Sequence, residues 1–384
     1  MSNISDISRD EWMLRRGPLA AKGYDWWWHS FTGTNERTGE RKSFFIEFFT
    51  CNPAHAKIDP VIVWNDCEKQ ADNIKPSYVM VKAGYWGKEK AQINNFYSYK
   101  DVYFKPVAPF AITVGDCFLC ESGTVGRVSV TNEEAKEHPE WMSDSGTMEW
   151  NLNMDKKISF NVGYGASKLF RVLNAFEMFW HAEGMKTAYD GYVTVNGEKY
   201  IVSHDDSYGY ADKNWGSDFT SPWVWLSSNN LMSASTGEML TDSAFNIGGG
   251  RPKVLGVPLN RKLLSQLTYE YCDFEFNFSK FLTGTRTKFS CKETEDKIIW
   301  DVTQKNLKFK LVAHVECEKD EMILMNYESP DGRKRHNRLW NGGTGVGVLK
   351  IYRRSGFGTF EMIDKIYAKN IGCEYGVYDE NGVE

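Results

Sequence analysis

The stretch Thr147-Met-Glu-Trp-Asn-Leu-Asn-Met154 decides the fold. Apolar Met148, Trp150, Leu152 and Met154 alternate with polar Thr147, Glu149, Asn151 and Asn153, and a period of two sends the two sets to opposite faces of a half-buried strand. Further along, Tyr192 to Val195 and Lys199 to Val202 flank Asn196-Gly197, a pair suited to the left-handed conformations of a tight hairpin turn. Ser43 to Phe49, Ile298 to Val302, Leu307 to Val315 and Val346 to Tyr352 give further strands between short polar or glycine-bearing turns. Two short helices are predicted, one from Asn132 as N-cap and one over Val257 to Leu267. The pattern is that of an antiparallel, mainly β protein.

At 384 residues the chain is long enough for two domains with sizeable cores. No low-complexity linker separates them. The change of pattern after Gly216 places the division at 1–217 and 218–384. The net charge of −5 arises from 46 basic and 51 acidic residues spread along the chain, so the basic footprint of a nucleic-acid binder is missing. Aromatic side chains are abundant, with 14 Trp and 23 Phe. They suit either an aromatic core or the walls of a pocket for a small apolar or phenolic ligand.

Met1 to Arg16 is charged and lacks the apolar core of a signal peptide, and no apolar run is long enough to span a bilayer. A cytoplasmic protein without stable membrane insertion is expected. Eight irregularly spaced cysteines fit reduced thiols. Cys117 and Cys120 make one CxxC without a second pair to complete a zinc site, and read better as strand residues. Gly248-Gly-Gly-Arg251-Pro252 lacks the ending of a phosphate loop and reads as a sharp turn. GxSxG, HExxH and EF-hand patterns are missing too, so no metal or cofactor is implied. A homodimer is compatible with the sequence, although no heptad argues for one.

Three segments can carry chemistry. The densest is Tyr208 to Trp225, YGYADKNWGSDFTSPWVW. An acid among aromatic rings is poorly solvated, which raises its pKa, so Asp212 can hold a proton at neutral pH and deliver it to an alkene. The negative faces of Trp215, Trp223 and Trp225 suit a carbocation formed beside them, with Lys213 and Asn214 as polar contacts. The competing reading has Asp212 pairing with Lys213 or capping a turn. In Phe179-Trp180-His181-Ala182-Glu183-Gly184, His181 and Glu183 share a strand face. If that face meets the pocket, His181 can orient Asp212 or act as a base tuned by Glu183, with Trp180 in the wall; otherwise His181 is structural. In Tyr24-Asp25-Trp26-Trp27-Trp28-His29 a strand sends indoles both ways, so Trp27, Trp28 and His29 either line a pocket or belong to a strand buried on both sides.

The order Tyr210-Ala-Asp212-Lys-Asn-Trp-Gly216, Trp223-Val-Trp225, Ser228-Asn-Asn230 and Gly248-Gly-Gly-Arg251 resembles the signature block of tocopherol cyclases. Asn341-Gly-Gly-Thr-Gly-Val-Gly347 and Cys373-Glu-Tyr-Gly-Val-Tyr-Asp379 are similar to that family's closing strands, and Gly23 to Phe31 to its aromatic first strand. The resemblance implies two lipocalin-like antiparallel β-barrel or sandwich halves packed together. It implies a cofactor-independent enzyme that protonates a prenyl double bond while a phenol oxygen captures the cation. Carotenoid 1,2-hydratases in the wider superfamily add water to an isoprenoid alkene instead, and a ligand carrier is the non-catalytic alternative. In the roles so implied, Asp212 is the general acid, Tyr210 its hydrogen-bond partner, His181 an orienter, and Trp28, Trp215 and Trp225 pocket walls. The sequence departs from plant cyclases in reading Trp-Trp-Trp-His where Gly-Trp-Tyr is usual, and no transit peptide is recognised, so a plastid role is not expected.

Overall fold

In the computed structural model, described over residues 22–52, 75–105, 109–160, 173, 175–260, 262–278, 284–332, 335–356 and 358–377, every strand pairing is antiparallel. The strands form two large sheets. A 12-stranded sheet takes the strands from Tyr24 to Gly216, and an 11-stranded sheet those from Trp223 to Gly376. The first curls into a closed barrel: where Ala91–Tyr97 meets Gly123–Val130, the Asn95 amide donates to Ser129 O (3.0 Å) and accepts from Ser129 N (2.8 Å). The side chain thereby replaces ladder hydrogen bonds at the seam. The second sheet curls as a half-barrel, giving the two lipocalin-like halves.

Gly146–Phe160 is the alternating strand read above: Met148, Trp150, Leu152 and Met154 are buried, and Glu149, Asn151 and Asn153 exposed. The hairpin joins Met178–Val195 to Glu198–Val202, with Asn196 at φ 48° and Gly197 at φ 88°, both left-handed. Cys117 and Cys120 lie on one short strand three residues apart, hence on opposite faces.

Three local expectations are corrected. The helix Asn132–Glu137 exists, but its N-cap is Thr131, which accepts from Glu134 N (3.1 Å) while the Glu134 carboxylate accepts from Thr131 N (2.8 Å). Val257 to Leu267 is not helical. Val257–Pro258 and Lys262–Tyr269 are strands, the latter buried on both faces between two neighbours, where an apolar run loses the period that tells strand from helix. The glycines 248–250 do not turn; they end the strand Ala244–Gly250. A Cβ on Gly250 would sit 1.7 Å from Pro222 O, so the glycine allows a close backbone approach.

The core has three parts. One fills the first barrel and includes Trp27, Phe31, Phe48, Trp150 and Tyr189. Another fills the second sheet around Trp300 and Leu349. The third joins the two sheets, with Trp26, Trp28, Phe45 and Trp180 from the first against Trp223, Trp225, Leu264 and Tyr327 from the second. Tyr24–Asn35 is therefore buried on both sides, Trp27 inward and its two neighbours at the junction.

Candidate active site

Gly209–Gly216 pairs on one side with Tyr24–Asn35 and on the other with Met178–Val195. Its register decides which side chains meet. Asp212 lies opposite Trp28, and Asn214 opposite both Trp26 and Trp180, so these five residues share the face turned to the second sheet. Tyr210, two residues from Asp212, joins them.

Asp212 is 5% exposed. Its Oδ2 accepts from Trp180 Nε1 (2.9 Å) and from the Tyr210 hydroxyl (2.8 Å), and its Oδ1 accepts from Asn214 Nδ2 at 3.3 Å. The Tyr210 oxygen in turn accepts from Trp225 Nε1 (3.2 Å) and Asn246 Nδ2 (3.0 Å), both from the second sheet. The Trp225 indole only donates, and with Asn246 presenting its N–H the two donors fill the Tyr210 lone pairs, so the one Tyr210 hydrogen goes to Asp212. With Oδ2 accepting twice, the proton of a neutral Asp212 belongs on Oδ1. Burial pushes this carboxyl up to about 8, against the pull of the Trp180 and Tyr210 hydrogen bonds, with Glu374 and Glu183 adding repulsion. Among the described residues no lysine or arginine lies within ion-pair distance of it.

Other sequence candidates fall on the opposite face. Lys213 does not pair with Asp212; its Nζ meets Asp25 and lies 3.8 Å from the Trp27 ring centroid. Burial lifts the Asp25 carboxyl to about 6 despite Lys213. His181 lies opposite Lys213 and its Nδ1 is 3.3 Å from Phe160 O, so it does not reach Asp212 in the manner proposed from sequence. Glu183 pairs with Lys156 at 2.7 Å. His29 Nδ1 meets the Tyr189 hydroxyl at 2.8 Å, and burial lowers its pKa to about 4, leaving a neutral imidazole. Trp215 stacks on Phe179 with centroids 5.6 Å apart. Trp27, His29, His181, Glu183, Lys213 and Trp215 are thus separated by the sheet from the Asp212 carboxyl.

Trp223 belongs with the Asp212 face: its ring meets Trp180 edge-on at 6.4 Å, and its Nε1 donates to Glu374 Oε2 at 2.6 Å. Asn341 Nδ2 donates to Glu374 Oε1 (2.6 Å), and Trp86 Nε1 of the first sheet donates to Asn341 Oδ1 (2.8 Å). Beside them, Tyr327 donates to Glu47 Oε2 (2.7 Å), with Lys82 Nζ 3.4 Å from the same oxygen. The junction thus holds three buried carboxyls among indoles. Trp86 also lines a cleft of about 360 Å³ between the sheets and packs 6.0 Å from Trp28. Two other clefts, around Lys186 and His204, are likewise not lined by Asp212.

A family model described as tocopherol cyclase-like matches residues 115–334, more than half of the chain. The chain belongs to the tocopherol cyclase-like family. The tocopherol cyclase-like match spans Trp180, Tyr210, Asp212, Trp225 and Asn246, and leaves Trp28 and Glu374 outside it. Among solved structures, a protein provisionally named AttH from Nitrosomonas europaea is 11% identical, with a TM-score of 0.47 over 95% of this chain and 96% of that one. Kievitone hydratase from Nectria haematococca is also 11% identical, with a TM-score of 0.46 over 97% and 92%. No curated protein matches the sequence. No helix among the described residues is long and apolar enough to cross a membrane.

Sequence reading missed Asn246, Glu374, Asn341, Trp86, Glu47, Lys82 and Tyr327. Two of them stood inside quoted motifs, Asn341 at the head of the second glycine run and Glu374 after Cys373. Asn246, two residues before Gly248 on the same strand face, was hidden by reading the triplet as a turn, whereas alternation along Ala244–Gly250 would have placed it.

Proposed function

We propose that this protein is a cyclase in which Asp212 protonates an alkene of an apolar prenylated or phenolic substrate, and an oxygen of that substrate captures the cation to close a ring. One observation carries the reading: a carboxyl buried among indole faces, its Oδ2 occupied by two donors and its Oδ1 left for a proton, with burial raising its pKa to about 8. A neutral acid of this kind gives a proton without leaving a water-solvated ion pair behind. The rings of Trp28, Trp180 and Trp225 flank the developing positive charge and stabilise it through their quadrupoles. Tyr210 donates to Asp212 more strongly as the carboxylate forms, so the hydrogen bond stabilises the state after proton loss. Membership of the tocopherol cyclase-like family supports the reaction class. The residues beyond the sheet, His29, His181, Glu183 and Lys213, shape the barrel that backs this face. The first sheet and the second are taken as two domains dividing at 217/218, with the chemistry between them.

The test is incubation of the parent protein and Asp212→Asn with prenylated hydroquinones, chalcone-like phenols and isoprenoid alkenes in deuterated water, followed by mass spectrometry. Cyclisation gives a product carrying one carbon-bound deuteron from solvent and no added oxygen, made by the parent and lost in the variant. A product carrying added solvent oxygen assigns hydration instead. Tryptophan quenching without turnover by either protein leaves a ligand carrier and removes the catalytic reading.

A further inference from the structure

Asp212 is one of two indole-pinned carboxyls facing the junction. Glu374 sits on Thr359–Gly376 with each carboxyl oxygen accepting one hydrogen bond, Oε2 from Trp223 and Oε1 from Asn341. The Asn341 amide cannot turn around without losing its bond from Trp86, because an indole only donates, so the Asn341 N–H is held toward Glu374. Trp180, bound to Asp212, and Trp223, bound to Glu374, meet edge to face. The two carboxyls therefore flank one pair of rings. Glu374 is 4% exposed, and among the described residues no cation lies within ion-pair distance of it.

Resting on the reading of Asp212 as the acid, we propose that Glu374 is the base of the same reaction, taking the proton from the substrate hydroxyl whose oxygen closes the ring. The balance is complete without a co-reactant. The Oδ1 proton of Asp212 and the alkene π pair become a new C–H bond. The hydroxyl oxygen forms the C–O bond, and its proton passes to Glu374. The substrate keeps its composition, and the enzyme is left with Asp212 ionised and Glu374 protonated, a state reset by returning one proton.

The assignment of roles follows from what surrounds each group. Facing Glu374 are Glu47 and Lys82 from neighbouring strands of the first sheet, Tyr327 from the second, and Asp212 on Gly209–Gly216. Burial lifts Glu374 to about 7, against the Trp223 and Asn341 hydrogen bonds; Glu47 raises it further and the Lys82 ammonium lowers it. Asp212, raised to about 8, has no such ammonium among its main influences. The hydrogen bonds divide the roles: on Asp212 two donors crowd Oδ2 and leave Oδ1 for a proton, whereas on Glu374 each oxygen accepts from a donor of fixed direction, an arrangement that favours the ionised form a base needs.

The experiment uses the full chain and a hydroquinone with a saturated isoprenoid tail, a probe that keeps the phenol but cannot react. Its affinity is followed by tryptophan quenching from about pH 5 to about pH 9, alongside the kcat/KM profile of the unsaturated quinol. In the parent and in Asp212→Asn, affinity falls as pH drops below about 7, approaching tenfold per unit if the phenol is bound only by ionised Glu374. Glu374→Gln flattens that limb of the binding curve and slows turnover at least a hundredfold at neutral pH, while Glu374→Asp restores the limb at a shifted midpoint. A Glu374→Gln protein that keeps the parent limb overturns the role of Glu374 and leaves Asp212 untouched. Should Glu374→Gln fail to fold, an unmoved midpoint in Glu374→Asp overturns it equally. A parent protein that binds no probe and turns over no quinol overturns both assignments.

Discussion

Asparagine is a close mimic of what Asp212 is in the folded protein. The neutral acid offers one accepting oxygen to Trp180 and Tyr210 and one protonated oxygen toward Asn214. An Asn side chain supplies the same acceptor and an N–H in place of the O–H, and Asn214 Oδ1, unpartnered among the described residues, can receive it after a flip of its amide. The substitution removes the transferable proton and keeps the hydrogen bonds. It also removes a cost of folding. The folded pKa of about 8 lies above the ordinary 3.8, so between those values the native state holds a proton that the unfolded chain has released. Stability from this group is full below about pH 4 and is lost as pH rises toward about 8, at about 1.4 kcal/mol per unit. At pH 7 that amounts to on the order of 4 kcal/mol. Asp212→Asn is therefore inactive yet melts several degrees above the parent at pH 7, and the two melt together near pH 4. Thermal unfolding followed by circular dichroism at both pH values measures this, and a variant less stable at pH 7 would sink the account.

At the scale of the strand, a single glycine sets the position of the indole that holds the acid. Gly248 lies on Ala244–Gly250, and a Cβ built there stands 3.0 and 3.1 Å from the outer ring carbons of Trp180. Its backbone is one that alanine tolerates, so the substitution tests packing and not strain. In Gly248→Ala the Trp180 ring shifts by a few tenths of an ångström and its N–H moves off Asp212 Oδ2. Loss of that donor raises the Asp212 pKa, since the bond now lowers it. Turnover falls roughly tenfold, at a stability cost of about 1 to 3 kcal/mol for overpacking. The alkaline limb of the pH profile moves upward, which a fall in stability alone does not produce. Alternation in the sequence is enough to put Tyr210 and Asp212 on one face, and Trp27 and His29 on one face, because parity within a strand is local. It does not say which parities meet. The sequence puts His181 beside Asp212 only on the condition that its strand face meets the pocket, and the register sets it opposite Lys213 instead; a slip of one residue would have reversed the outcome. Glu374 was out of reach for the same reason, as its partners Trp223 and Asn341 come from two other strands, and Trp86, which holds Asn341, follows the strand Tyr78–Tyr85 of the first sheet.

Across the whole molecule, the junction is what makes one protein of two sheets. The core of the first barrel is closed within itself. On its outer face, however, Trp26, Trp28, Phe45 and Trp180 are covered by the second sheet, and polar ties cross between them: Tyr327 to Glu47, Trp86 to Asn341 and Asn246 to Tyr210. Separation would open an aromatic patch to water and leave the buried Lys82 and Glu47 pair without Tyr327. The arrangement proposed for catalysis needs the two joined, since Tyr210 accepts its hydrogen bonds from Trp225 and Asn246 of the second sheet. The intact chain is therefore expected to unfold in one calorimetric transition whose van't Hoff and calorimetric enthalpies agree. A fragment of residues 1–217 should keep its far-ultraviolet β signal, bind a hydrophobic dye and self-associate. Mixing it with 218–384 should suppress dye binding to the extent that the junction reforms. Two well-separated transitions in the intact chain, or a monomeric fragment that binds no dye, would show that the sheets are independent and that the junction contributes little to holding the acid in place.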